Sequence, residues 1–430
     1  MAAFPSSFVY DITRLVTRMF NRTPNGIDRV DFAFAEHCLR KPGNSAGCLM
    51  SFTGPRLFSQ PASWAAVDGI AKHWGEADVP EDDVAYREVL GRLGEKQTEK
   101  SAREFISRKR SGQLKGTLAW MRTYGFPLGA SLASEVPAHA CYLNVSQFPL
   151  WIPSYFNWLK KRPDVKAVFF IHDLLPIERP EFFRPAEQER HKKRLLNLAA
   201  FGSAAITSSK TVRDALAAYM ADLGRRDMPI LALPLPVTPI FHAREPVDPE
   251  LLKGHPYFIC CGTIEPRKNH LLLLHVWGAL AELYGAATPK LLLIGNRGWE
   301  NENAVDLLER SKALQGRVIE VSGLSTPALK RLLDGARALL MPSFAEGYGL
   351  PLAEALAAGV PVIASDIPVF REIGGDRITK ISPIAGDRWL EAIMAALALP
   401  LPAQRAKAEL AGVETAQGYF AEVDQFLAGL

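Results

Sequence analysis

The run Ala336-Arg-Ala-Leu-Leu-Met-Pro-Ser-Phe-Ala-Glu-Gly-Tyr-Gly-Leu-Pro-Leu-Ala-Glu354 passes from apolar to polar and back to apolar over short intervals. Residues Ala336 to Met341 are mostly apolar and bounded by polar neighbours, which predicts a buried strand of a parallel sheet. A helix is expected almost at once. Gly347 and Gly349 suit backbone angles closed to other residues, and Pro351 suits the first helical position, where its missing N–H costs nothing. Glu346 then falls in the strand-to-helix loop and Glu354 in the first turn of the helix. Both carboxylates are expected at the carboxyl edge of the sheet, where open α/β proteins bind ligands. The amides of Gly347, Tyr348, Gly349 and Leu350 offer hydrogen bonds to a diphosphate there. Either glutamate alone reads as an ordinary loop or helix-start residue favoured by the helix dipole; the whole segment points to a phosphorylated ligand.

Working outward, Cys261-Gly-Thr-Ile-Glu-Pro-Arg-Lys-Asn269 begins where another apolar strand, Tyr257 to Cys261, ends, and it leads into a helix over Leu271 to Leu283. Arg267 and Lys268 are therefore placed near a helix amino terminus at the same edge. A planar guanidinium that grips two oxygens, beside a compact ammonium, is the pairing a departing diphosphate requires as charge builds on it. Leu291 to Trp299 reads as a strand ending in Gly295 and Gly298, consistent with backbone coming close to a ligand. Ser322-Gly-Leu-Ser-Thr-Pro327 follows the next strand, where Gly323 and Leu324 either line a base pocket or simply precede a helix capped by Ser325 or Thr326.

Two stretches alternate short apolar strands with amphipathic helices, the pattern of parallel α/β sheets covered on both faces. The first contains Phe8 to Ile12, Cys141 to Val145, Val168 to Ile171 and Ala204 to Thr207; the second contains Tyr257 to Cys261, Leu291 to Ile294, Val318 to Val321, Ala338 to Met341 and Val362 to Ala364. Between them, Leu233-Pro-Leu-Pro-Val-Thr-Pro239 reads as a stiff, extended connector. The expected divisions are residues 1–240, with an insertion at about 51–140, residues 241–413, and an amphipathic tail helix over 414–430 that crosses back to the first unit. Within the insertion, Arg103, Arg108, Lys109, Arg110, Lys115 and Arg122 alternate with Phe105, Ile106, Leu114, Leu118 and Trp120. That mixture either rests on anionic lipid headgroups or, more plainly, forms a solvated helical surface.

At 430 residues with 48% apolar content, the chain can bury two or three domain cores. Its 50 basic and 46 acidic residues leave a net charge of only +4, which argues against a nucleic-acid binder. Five cysteines, an odd number without paired spacing, point to reduced thiols rather than zinc or disulfides. No leader-like segment and no apolar run of about 18 residues is evident, so a cytoplasmic protein is expected, soluble or held at the cytoplasmic face of the inner membrane.

In the first unit, Val168-Phe-Phe-Ile-His-Asp-Leu-Leu-Pro176 places His172 and Asp173 just beyond a buried strand, where a histidine hydrogen-bonds sugar hydroxyls or shuttles a proton. Pro24-Asn-Gly-Ile-Asp-Arg-Val30 precedes an amphipathic helix, and Gly26 lets its backbone approach a partner closely or simply serves as a turn glycine.

Taken together, these segments resemble glycosyltransferase family 4, retaining members of the GT-B superfamily. Gly262 to Asn269 is similar to its Gly-x-x-x-x-Arg-Lys-Asn segment, and Ala338 to Asp366 resembles its Pro-Ser, Glu-Gly-x-Gly-Leu-Pro, Glu and Ala-Gly-x-Pro-Val elements in order. The first half is similar only at Asn25 to Val30, Phe170 to Pro176 and Ile206 to Ser209. The resemblance implies an α/β GT-B fold of two Rossmann-like domains facing across a cleft. It implies a donor site in which Arg267 and Lys268 bind the diphosphate, Glu354 the ribose hydroxyls and Glu346 the sugar near the reacting carbon, with Gly26 touching phosphate. Gly262, Gly295, Gly323, Leu324, Gly347, Tyr348, Gly349 and Leu350 complete that donor surface, and His172, Asp173 and Asn144 form the acceptor side. It further implies retention of anomeric configuration without metal or other cofactor; no Asp-x-Asp lies near these loops. The implied partners are a nucleotide-sugar donor, with GDP-mannose or a related GDP-sugar the best match, and a glycan acceptor of the lipid-linked kind. A sugar-nucleotide epimerase or a non-catalytic glycan-binding subunit of the same architecture remains open at this point.

Overall fold

The computed structural model describes residues 7–19, 24–40, 45–51, 54–74, 79–94, 129–243, 247, 251, 255–399 and 416–430. The basic and aromatic residues between Arg103 and Arg122 lie outside the described residues. The first sheet holds eight strands: β1 (Phe8–Asp11), β2 (Ser45–Ser51), β3 (Gly54–Ser59), β4 (Ala130–Ser131), β5 (Cys141–Asn144), β6 (Lys166–Ile171), β7 (Ala204–Thr207) and β8 (Ile230–Ala232). They are ordered β4-β3-β2-β1-β5-β6-β7-β8, parallel except for the β2–β3 and β3–β4 pairs. The second sheet is wholly parallel. Its strands β9 (Tyr257–Cys261), β10 (Lys290–Ile294), β11 (Val318–Val321), β12 (Leu339–Met341), β13 (Val362–Ser365) and β14 (Thr379–Ile381) are ordered β11-β10-β9-β12-β13-β14.

Both orders reverse direction once, between β1 and β5 in the first sheet and between β9 and β12 in the second. At such a reversal the loops leaving neighbouring strands diverge to opposite faces and open a crevice at the carboxyl ends. Register brings the loops level: Ile294 pairs with Cys261, and Leu339 with Ile259.

Strands such as Tyr257–Cys261 and Val362–Ser365 are buried along their whole length, as expected where helices cover both faces. One apolar cluster lies on the outer face of each sheet, with Trp158 and Phe169 in the first and Trp277 and Trp389 in the second. A third runs unbroken from the first sheet through the connector to the second. Leu233, Leu235, Val237 and Phe241 are buried within it, so the extended proline-rich connector is packed against both sheets' shared core. In its described parts the region 51–140 contributes both to the first sheet and to the shared core. Gly54–Ser59 is a strand of the first sheet, and helices Gln60–His73 and Val84–Gly94 bury Val67, Ile70, Tyr86 and Leu93 in the shared cluster. Short, weakly alternating segments with helices between them hid that strand from a periodicity reading.

The last helix, Ala416–Ala428, packs on helix Gly26–Arg40. Tyr419 and Phe420 meet the Phe34 ring at 5.8 and 5.2 Å, and His37 Nε2 lies 2.9 Å from Asp424 Oδ1. None of the five cysteines forms a disulfide, and all are buried. Among the described residues, no helix is long and apolar enough to cross a membrane.

Candidate active site

Three loops of the second sheet meet at the crevice between β9 and β12. After β9 the chain makes a single turn at Pro266–Lys268 and then enters helix His270–Tyr284 through Asn269, which is left-handed at φ 55°. The Asn269 side chain fixes this turn by donating to the carbonyls of Pro342, 3.1 Å, and Pro383, 2.8 Å, on the loops after β12 and β14. The Phe344 amide donates to the Arg267 carbonyl at 2.8 Å, closing the two loops on each other.

Glu346 is the hub of the resulting cluster. One oxygen takes Arg267 Nη1 at 2.5 Å; the other takes Lys268 Nζ and the Ser343 hydroxyl, the latter at 2.8 Å. Burial alone would push this carboxyl up, but the two cations and the Lys268 and Ser343 hydrogen bonds outweigh it and bring the pKa down to about 2. Arg267 is shared, since its Nε lies 2.7 Å from Glu265, a carboxylate of which only 2% is exposed. Burial raises Glu265, against Arg267 and Lys268, which lower it. Arg267 is held firmly charged because Glu346 and Glu265 overcome its desolvation.

The glycines divide by physical reason. Gly349 has φ +110° at the start of helix Leu350–Ala357, the left-handed region expected of it. Gly347 is not left-handed. A side chain there would meet the His172 carbonyl at 2.5 Å and Asp173 Cβ at 2.8 Å, so this glycine lets the second unit press against the first. Gly295 also departs from expectation: a Cβ would strike the Gly262 carbonyl at 2.1 Å, so its close approach is to the neighbouring loop of its own sheet. Gly262 lies at φ +142° over the Lys268 side chain. Gly323, at φ +82°, has open space beside it, and Leu324 is buried in the shared core. Ser325 caps the following helix by accepting from the Ala328 amide at 3.3 Å.

Glu354 sits one residue beyond the first turn of its helix rather than within it, and it is 3% exposed. Its partner is Arg29 of the first unit, whose Nη1 donates to Oε1 at 2.6 Å. The Tyr348 side chain turns away from the crevice and donates its hydroxyl to the Leu235 carbonyl at 3.3 Å.

Across the crevice, His172 stands at the end of β6. Its Nε2–H donates to the Val145 carbonyl at 2.8 Å, leaving Nδ1 as the acceptor nitrogen. Burial depresses the imidazole to about 3, with the Val145 bond opposing, so the ring is neutral across the physiological range. That state suits hydrogen bonding to a hydroxyl better than proton shuttling. Asp173 Oδ1 accepts from the Leu175 amide at 3.1 Å. Asn144 is fully buried, with its amide shared between Asp11 and the Phe148 carbonyl, so it braces the loop after β5 from beneath. Gly26 begins helix Gly26–Arg40 with open space beside it. Asn25 and Asp28 cap that helix reciprocally, backbone N to side-chain oxygen, at 3.1 and 2.9 Å.

Sequence reasoning assigned no role to Glu265, Asn269 or Arg29, although each lies inside a quoted motif, and it passed over Asp11. Arg267 and Glu346 are 79 residues apart, but Arg29 and Glu354 are 325 apart, so no local pattern marks the latter pair. Among the described residues, no group of three or more His, Cys, Asp or Glu side chains is arranged to hold a metal ion.

Two α/β units whose carboxyl edges face each other across this crevice have the GT-B architecture. The Anabaena protein HepE, solved in complex with UDP, superposes over 99% of this chain and 100% of its own with a TM-score of 0.59 at 14% identity. A UDP-forming α,α-trehalose-phosphate synthase from Burkholderia vietnamiensis does so over 99% and 100% with a TM-score of 0.57 at 11% identity. At those identities the likeness is one of fold. In sequence, residues 243–409 match the family described as glycosyl transferases group 1. A serotype-specific mannosyltransferase of Escherichia coli is 30% identical over 249 residues, covering 54% of this chain and 30% of the relative. The O-antigen chain mannosyltransferase B of Escherichia coli is 38% identical over 120 residues, covering 28% of this chain and 31% of the relative. The matches thus span less than a third of the length of either relative.

Proposed function

We propose that this protein is a retaining glycosyltransferase of surface-polysaccharide synthesis, moving a hexose from a nucleotide diphosphate onto a hydroxyl of a growing, lipid-linked glycan. GDP-mannose or a related GDP-sugar is the donor that best fits the mannosyltransferase relatives. The observation that carries the reading is the convergence of Arg267 and Lys268 on Glu346 at the chain reversal of the second sheet, directly opposite His172.

In this reading Arg267 and Lys268 exchange Glu346 for diphosphate oxygens, which releases Glu346 to accept from the sugar hydroxyls. The bond from the anomeric carbon to the phosphate oxygen breaks as the acceptor oxygen bonds to the same face of that carbon, and the acceptor proton passes to the departing phosphate. Charge accumulates on the diphosphate at that moment, where two fixed cations in a partly buried site stabilise it most. His172 orients a hydroxyl through its unprotonated Nδ1, Glu354 takes the ribose, and no metal participates. The reaction is placed at the cytoplasmic face of the inner membrane, where a lipid-linked acceptor would be presented.

The test supplies GDP-, UDP- and ADP-sugars with an acceptor glycan and follows nucleoside diphosphate release, which should require acceptor. Glu346→Ala and Arg267→Ala should abolish release while leaving the circular dichroism spectrum unchanged. Full activity in either variant overturns the assigned roles, and release without acceptor overturns the transfer reaction.

A further inference from the structure

Glu354 has one polar partner among the described residues. Arg29 binds Oε1, and no polar group engages Oε2. Burial raises the carboxyl, and the Arg29 charge and hydrogen bond are what oppose that rise. Arg29 is itself held in place from the first unit. It lies in helix Gly26–Arg40, whose start is fixed by the Asn25–Asp28 cap, and Asp28 Oδ1 accepts from Arg14 Nε at 2.8 Å. Arg14 belongs to the short helix Thr13–Arg18 that follows β1, so the chain of contacts is rooted in the reversal point of the first sheet.

We propose that Arg29 is a positioning residue for donor recognition: reaching across the crevice, it holds Glu354 so that one carboxylate oxygen stays open to the vicinal hydroxyls of a ribose. Recognition of a ribonucleotide is then built by both units together, and it depends on their being apposed. The inference rests on the reading of Glu354 given above.

Arg29 could instead be a clasp between the units, but the units are already joined elsewhere. Glu372 accepts from the Lys210 and Thr211 amides at 2.6 and 3.0 Å, Asp83 from the Ser325 amide at 2.7 Å, and Trp299 Nε1 donates to the Phe182 carbonyl at 3.2 Å. Glu354, by contrast, has no second cation among the described residues. Without Arg29 nothing would oppose the upward push of burial on this carboxyl, and the neutral form it favours is a poor acceptor for two hydroxyls.

The experiment measures dissociation constants of the full chain for GDP, UDP and ADP and for their 2′,3′-dideoxy counterparts by titration calorimetry. Wild type should prefer the ribose form of its nucleotide by about tenfold to a hundredfold, the worth of hydrogen bonds to a charged group. Arg29→Ala should erase that preference and leave the dideoxy affinity within about twofold, and Arg29→Lys, which keeps a cation near Glu354, should restore part of it. Equal weakening of ribose and dideoxy forms would mean a clasp and overturn the proposal, as would an unchanged preference in Arg29→Ala. Failure of the underlying donor reading looks different: wild type then binds none of the three nucleotides, or binds both forms alike.

Discussion

At the end of β12, Glu346 gathers Arg267, Lys268 and Ser343 at the wall of the crevice; at the end of β1, Asp11 gathers Thr13, Tyr142 and Asn144 with no exposure at all. Both are carboxylates at the carboxyl edge of a sheet, beside the point where strand order reverses. They differ in the charge of their partners. Asp11 accepts from the Thr13 amide at 2.9 Å, the Tyr142 hydroxyl at 2.5 Å and the Asn144 amide at 2.9 Å, all neutral, and burial raises it despite them. Glu346 is paired with two cations and is lowered. A carboxylate satisfied by neutral donors pins loops together. One satisfied by cations can release them to an anionic ligand and accept from that ligand's hydroxyls instead.

The widest separation between the two should come from removing charge without volume. Glu346→Gln should slow transfer on the order of 10²- to 10³-fold, while nucleoside diphosphate affinity is retained or tightened because Arg267 and Lys268 lose an internal anion. Single-turnover rates and calorimetry check it, and a variant that binds weakly but reacts normally once bound would break the comparison. Asp11→Ala should show the converse. It orphans the Tyr142 hydroxyl and one of the two N–H groups of the Asn144 amide in a buried place, so chemical denaturation should record a loss of about 3 kcal/mol, with kcat below the melting temperature little altered.

A smaller effect is expected at His172, where alanine removes one neutral hydrogen bond and should slow transfer about tenfold. Because the ring titrates near 3, wild type should show no limb from this residue in its rate profile between pH 5 and 8. A limb near pH 6.5 that disappears in His172→Ala would restore proton shuttling. An effect on stability rather than rate concerns His270, 1% exposed behind Lys268, with both ring nitrogens unpartnered among the described residues and a pKa depressed by burial to about 3. The unfolded chain binds a proton there near pH 6.5 while the folded one stays neutral, so acidification through that window favours unfolding. Replacing it as His270→Leu should flatten the fall in stability between about pH 6 and 4 by about 1.4 kcal/mol per pH unit. An unchanged slope would show that the imidazole is protonated in the fold.

Legibility differed along the same line. The second sheet's strands read as continuous apolar runs, and the loops that follow them carry Arg267, Lys268 and Glu346 within a few residues of a strand end, so position could be inferred from local pattern. The short edge strand Thr379–Ile381, two of whose three residues are exposed, gave no such signal. In the first sheet, Gly54–Ser59 pairs antiparallel to Ser45–Ser51 and Phe58 is its one buried residue, so it carries neither the continuous apolar run nor the clean alternation that marks a strand.

Strand-to-helix punctuation in the chain was enough to locate two sheets and to put the charged motif residues at one edge, because glycine, proline and apolar runs act over a handful of bonds. Three-dimensional packing alone decided which charges meet. It set Glu346 between two cations, sent the Tyr348 hydroxyl to the connector, and carried Arg29 across to Glu354. Those outcomes turn on desolvation and on contacts between segments 78 to 325 residues apart, and neither leaves a trace in local periodicity.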